Sequence, residues 1–177
     1  MKNQTEYMFL KALQYKSSKK VLTKKLAKTI AKEVNTKPIS SIGILINADE
    51  THTIEEIIAS IEINAKIHVL CYHKDVKKTR SIRYPVFYEK DFGWKGKPKA
   101  ESLQQFLKTP FDLLISYYNS DSVPLQLVSG LHTANLKVGI AGTDQEIHDM
   151  IIQTNITETK VFAKELHKYL HILNKLS

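Results

Sequence analysis

Apolar residues in this chain fall into short β-rich runs, separated by stretches with helical spacing. SIGILIN (41–47) is apolar and bounded by polar residues, and it reads as a buried strand. KIHVLCYH (66–73) reads as a second strand and Val86–Phe92 as a third. FDLLISYY (111–118) is the fourth, and LKVGIA (136–141) and DMIIQ (149–153) are two more. Pro85 and neighbouring charges place the third strand towards an edge. Helices fill the gaps. Thr53 and Glu56 have capping-box spacing and open a helix running to about Asn64. A helix over about 99–108 is closed by Pro110. Pro124 suits the first turn of a helix capped by Asp121 or Ser122 and running to about Ala134. Residues 157–176 form an amphipathic closing helix. Apolar strands alternating with helices predict the α/β class: a Rossmann-like, doubly wound, mostly parallel sheet of about six strands, covered on both faces.

Two helices are predicted ahead of the sheet. Residues 4–15 place Tyr7, Leu10 and Leu13 near helical spacing, and Ser17 and Ser18 mark a break and an N-cap. A second helix follows over about 18–35. Leu22, Leu26, Ile30 and Val34 form an apolar stripe, and Lys16, Lys20, Lys24, Lys28 and Lys32 form a second stripe at the same i+4 spacing. Pro38 ends this helix. The expected organisation is a basic helical arm over 1–37 and an α/β domain over 38–177.

Charge sharpens that division. The first 37 residues hold ten Lys against Glu6 and Glu33, a net +8 that equals the charge of the whole chain. The rest is balanced. Only two of the 26 basic residues are Arg, a Lys bias that base composition of a genome also produces, so placement says more than amount. The Lys stripe has three readings: a solvated face, phosphate binding on RNA or a ribosome, or contact with an anionic membrane surface. Five Lys on five phosphates would give log K a slope of about −4.5 against log salt on duplex. A second basic segment, 74–99, carries nine Lys or Arg against three acids, interleaved with Tyr84, Phe87, Tyr88, Phe92 and Trp94. Basic groups with aromatics serve single-stranded nucleic acid binding, although aromatics in such a strand also serve packing.

Other features narrow the classes. Single Cys71 excludes an internal disulfide framework, and no apolar run approaches 18 residues. The N-terminus lacks a secretory core, and a cytoplasmic location is expected. Cys71 and His73 share a strand face without a second zinc-spaced pair, and His167 and His171 lack the Glu of a metalloprotease helix, so no metal is expected. The first strand-to-helix loop has no glycine and no P-loop occurs, so no dinucleotide or ATP cofactor is expected.

In a doubly wound sheet, ligands bind beyond the carboxyl ends of strands where strand order reverses. For the order 3-2-1-4-5 that point lies between strands one and four. The candidate ligand-binding residues there are Asn47, Asp49, Thr51, Asn119, Ser120, Asp121 and Ser122, with Asp144 from the loop after strand five. The competing reading is that these residues only cap helices and make turns.

The segment Phe111–Gly139, the loop Lys90–Pro98 and the basic arm are similar to short proteins of a domain-of-unknown-function family from Bacteroidota. That resemblance implies a Rossmann-like fold and carries over no catalytic residue. More distantly, Asp112–Gly139 resembles a strand-helix-strand unit in the N-terminal half of heptosyltransferase-type glycosyltransferases, whose second half this chain has no room for. The leading expectation is a non-enzymatic cytoplasmic binding protein, docking through its basic arm and Trp94 on RNA or a ribosome. The alternative is a small-ligand or nucleotide-sugar-related domain, with catalysis open, that uses the polar loops at 47–52 and 119–122.

Overall fold

The computed structural model describes residues 16–24, 37–50, 54–75 and 82–176. Six strands form one sheet: β1 (Ser41–Asn47), β2 (Lys66–Tyr72), β3 (Val86–Phe87), β4 (Leu113–Tyr117), β5 (Leu136–Ile140) and β6 (Met150–Ile152). Every pairing is parallel, and the spatial order is β3-β2-β1-β4-β5-β6. This is the 3-2-1-4-5-6 order of doubly wound Rossmann-like sheets. The strands are continuously apolar because both faces are covered. In β1, Ile42, Ile44 and Ile46 point to one face while Leu45 points to the other.

Helix α1 is described over 16–24. The others are α2 (Ile54–Ile61), α3 (Glu101–Lys108), α4 (Val123–Leu131) and α5 (Thr159–Ile172). Helices α2 and α5 cover one face, burying Ile57, Ile61, Phe162, Leu166 and Leu170 against β1, β2, β4 and β5. Helices α3 and α4 cover the other face through Leu103, Phe106, Leu125 and Val128. Phe111 lies across β1 at Gly43, where a Cβ would come within 2.4 Å of its ring. His132 stacks on that ring at 4.8 Å and 6°. The His132 Nε2–H donates to the carbonyls of Phe106 and Thr109, and its Nδ1 accepts the Ala134 N–H. A buried hydroxyl cluster ties β4 to α4: Ser116 and Ser129 oxygens lie 2.8 Å apart, and the Tyr118 hydroxyl lies 3.0 Å from Ser129.

At the amino ends of the strands, one carboxylate gathers the chain. Asp112 Oδ2 accepts the N–H and hydroxyl of both Ser40 and Ser41, and its Oδ1 accepts the Asn135 amide. Burial alone would raise the Asp112 carboxyl. The hydrogen bonds from Ser40 and Ser41 outweigh it and hold the group below its ordinary range.

Two expectations are corrected. The third strand stops at Phe87 instead of Phe92. Asp91 Oδ2 captures the Tyr88 N–H at 2.9 Å, and two 3₁₀ turns follow, Glu89–Asp91 and Trp94–Gly96. Ser17 and Ser18 do not break a helix; both lie inside α1. Ser18 is buried, and the Ser17 Oγ accepts the Lys95 N–H at 3.1 Å. A tertiary partner thus absorbs a hydroxyl that local reading assigns to a cap. The predicted helix over 4–15 and the predicted cap Thr53 lie outside the described residues.

Helix α1 also joins the core. Leu22 is 6% exposed and packs with the α3–α4 side. Its Cδ1 would sit 2.0 Å from a Cβ at Gly130, so α1 and α4 meet closely because position 130 is glycine.

Candidate functional site

The carboxyl ends of the strands gather the predicted loops. Asn47, fully buried at the end of β1, donates from Nδ2 to Ser120 Oγ at 3.1 Å and accepts the Asp49 N–H on Oδ1. Asp49 Oδ2 accepts the Lys74 N–H at 2.8 Å, and Oδ1 lies 3.1 Å from His73 Nδ1. The Asn119 N–H donates to Glu50 Oε2. These bonds lock the β1 loop between those of β2 and β4. Asn47, Asp49 and Asn119 therefore act as struts of this edge. Thr51 lies outside the described residues. Asp144 serves its own loop: Oδ1 accepts the Glu146 N–H and its carbonyl accepts His148 Nδ1–H. Burial lowers the His148 pKa, and its Nε2 has no hydrogen-bond partner among the described residues.

Ser120, Asp121 and Ser122 behave differently. They line an open crevice of about 240 Å³ with Ser18, Tyr72, Lys74, Glu89, Phe92 and Leu127. The crevice sits over the ends of β2 and β4, on the α4 side, and α1 supplies one wall. Its floor is apolar, made of buried Tyr72, Phe92, Val123 and Leu127. Its rim is polar: Lys74, Glu89 and Asp121 are exposed. Sequence reasoning missed the rest of the lining: Ser18, Tyr72, Lys74, Glu89, Phe92, Val123, Pro124 and Leu127. The fold rule could have supplied Tyr72 and Lys74, which flank the carboxyl end of β2. Nothing local marks Ser18, because it reaches the crevice through the docking of α1.

A second surface adjoins the crevice. Lys16, Lys20 and Lys24 are exposed on α1; Lys28 and Lys32 lie outside the described residues. The Ser17–Lys95 hydrogen bond seats α1 against the Trp94–Gly96 turn. Gly96 adopts φ +67°, and a Cβ there would stand 3.6 Å from Ser18 Oγ and 3.2 Å from Leu127. Trp94 is 56% exposed, and Lys95, Lys97 and Lys99 around it are exposed. The described parts of the two basic segments, 78 positions apart in sequence at the Ser17–Lys95 bond, meet on one surface with an outward tryptophan.

The remaining reactive groups serve packing. Cys71 is buried, and burial first, then the charge of Glu55, pushes its thiol up to about 12. The His167 Nε2–H donates to the Ile61 carbonyl and so joins α5 to α2. Among the described residues no group of three His, Cys, Asp or Glu is placed to hold a metal ion, and no helix is long and apolar enough to cross a membrane.

A model of a family of unknown function (DUF6913) matches residues 14–173. No curated protein and no solved structure matches the chain. The match includes the described residues of α1, 16–24, so they lie within the sequence that the family model covers.

Proposed function

We propose, from the premise that this chain belongs to the DUF6913 family of unknown function, that it is a binding protein for single-stranded nucleic acid, RNA first. One observation carries the reading: the contact between α1 and the Trp94–Gly96 turn, which joins exposed lysines to an exposed indole. Lysines supply phosphate attraction and counterion release. An indole adds base stacking worth about 1–3 kcal/mol per base and indifferent to sequence. Lys in place of Arg favours point attraction to phosphate over bidentate reading of bases.

Trp94 is the only tryptophan of the chain, so its fluorescence reports directly on this surface. The test titrates a labelled single-stranded RNA against the full chain at two salt concentrations, reading anisotropy and indole quenching together. The expected result is salt-sensitive binding that quenches Trp94. It weakens at least tenfold in Lys16→Glu/Lys20→Glu, a loss of about 1.4 kcal/mol or more, and loses its stacking share in Trp94→Ala. Binding that ignores both variants, or no binding at low salt, overturns the proposal. Charge reversal is a cleaner test than deleting 1–37, because deletion removes Leu22 from the core.

The alternative of a nucleotide-sugar domain gains less. The crevice, about 240 Å³, falls below the roughly 300–1,000 Å³ of cofactor and drug-sized sites.

A further inference from the structure

Among the described residues, four large apolar side chains stand exposed: Trp94, Val161, Tyr169 and Ile172. Trp94 belongs to the basic surface. The other three all lie on α5, at 48%, 38% and 64% exposure. We propose that this outer face of α5 pairs antiparallel with the same face of a second copy of the chain, in a two-fold dimer. The dimer does not depend on the nucleic acid reading.

Spacing comes first. Val161, Glu165, Lys168 and Ile172 follow one another at intervals of four, three and four residues. That is the seam spacing of paired helices. The seam runs along the side of α5 away from Phe162, Leu166 and Leu170, which are buried in the core. Order along the seam carries more. It reads apolar, acidic, basic, apolar, and it is centred between residues 166 and 167. Turned end for end, it lays Val161 of one copy on Ile172 of the other, and Glu165 of one on Lys168 of the other. A two-fold contact needs a surface that complements itself in this way. A parallel pairing would set Glu165 on Glu165 and Lys168 on Lys168, where like charges repel.

The charges at the centre are already paired within one chain. Lys168 Nζ lies 3.4 Å from Glu165 Oε2 and 5.7 Å from the centre of the Tyr169 ring. An exposed pair of this kind contributes little by itself. Between two copies, the two pairs become a ring of four alternating charges. The other charged groups of α5 stand off the seam. Lys160 and Lys164 line the groove towards α2, together with Glu56 and Glu62. His171 follows them on that flank by helical spacing. Glu158 accepts the Asn155 N–H at 2.8 Å. Length sets the strength. The seam from Val161 to Ile172 spans about 17 Å of helix. Three turns of contact fall short of the ~1,200 Å² that lasting complexes bury, so the dimer belongs to the weak, reversible class.

The test follows the full chain, free of nucleic acid, by sedimentation from about 10 µM to about 1 mM. The expected result is a reversible rise towards the dimer mass. Glu165→Lys and Lys168→Glu should each weaken self-association at least tenfold, because each sets four like charges at the centre. Both exchanges keep good helix formers. An equal mixture of the two variants should regain association to within about threefold of the parent, since every central contact is again of opposite sign. That recovery cannot come from the pair within one chain, which neither variant retains. A second readout fixes the direction. Val161→Cys mixed with Ile172→Cys should cross-link as a heterodimer faster than either alone; Cys71 is buried, with its thiol pushed up to about 12, and does not compete. A parent chain that stays monomeric at about 1 mM overturns the proposal. So does self-association that both charge variants retain, or a mixture that fails to recover.

Discussion

Leu22→Ala tests whether α1 is part of the folded core. Leu22 is 6% exposed, and truncation to Ala removes three buried carbons. At about 0.8 kcal/mol each they amount to roughly 2.4 kcal/mol, within the ~2–5 kcal/mol seen for Leu→Ala in cores. Helix propensity barely changes, since Leu ranks close to Ala. Urea unfolding should show a loss of about 2–3 kcal/mol. If α1 opens on its own first, the loss appears instead as faster exchange of the Lys95 amide, which Ser17 protects. Gly130 supplies the internal control. A Cβ there would stand 2.0 Å from Leu22 Cδ1, so Gly130→Ala alone should destabilise by about 1–3 kcal/mol through overpacking. With Leu22 already truncated, the same change should stabilise by about 1 kcal/mol, the helix-interior preference for Ala over Gly. The reasoning fails if Leu22→Ala alters neither the urea midpoint nor the Lys95 exchange. It also fails if Gly130→Ala has the same effect, within about 0.5 kcal/mol, in both backgrounds.

Three further outcomes follow from the buried polar groups. Asp112 contributes stability that is present above its unfolded pKa of about 3.9 and lost as pH falls through its depressed folded value. Asp112→Ala should cost about 1–3 kcal/mol near neutral pH and flatten the acid limb of urea midpoints; a parallel limb in the variant refutes this. Cys71, pushed up to about 12 by burial and then by Glu55, should react with a thiol reagent at pH 8 only at the rate of unfolding, and rapid stoichiometric labelling of the native chain would contradict it. Tyr117 is pushed up to about 12 by burial, then Glu56 and Glu158, and burial drives Tyr118 higher still. Their contribution is full below about pH 10 and falls as pH rises through the folded values. A spectrophotometric titration should therefore find Tyr117 and Tyr118 ionising only with unfolding, and replacing either by Phe should remove one tyrosine from that late step.

The sheet was legible in the sequence because its strands are buried on both faces. SIGILIN and FDLLISYY are nearly unbroken apolar runs, and turns or helices of matching period separate them. The expected order 3-2-1-4-5 is the observed one, with β6 added beyond β5. Pro124 marked the start of α4. What failed depends on partners distant in sequence. The run 86–92 has the composition of a strand, yet Asp91 turns back onto Tyr88 and Lys95 takes φ +57°. Ser17 and Ser18 have the composition of a break, yet one meets Lys95 and the other is buried beside Gly96. A smaller part of the candidate site, three of its eleven lining residues, was legible for the same reason. Ser120, Asp121 and Ser122 follow from the fold rule, whereas the apolar floor and the α1 wall follow from packing that no local pattern encodes.

The seating of α1 on α4 also has a consequence in time. Leu22 must wait for Gly130, 108 residues further along the chain. At roughly 5–20 residues per second of synthesis, that interval is about 5–20 s. Through it, a newly made α1 carries its lysines and the apolar side of Leu22 without the wall that later covers Leu22, beside a ribosome whose surface is rich in phosphate. The mature fold ends that exposure by covering Leu22 while leaving Lys16, Lys20 and Lys24 outward.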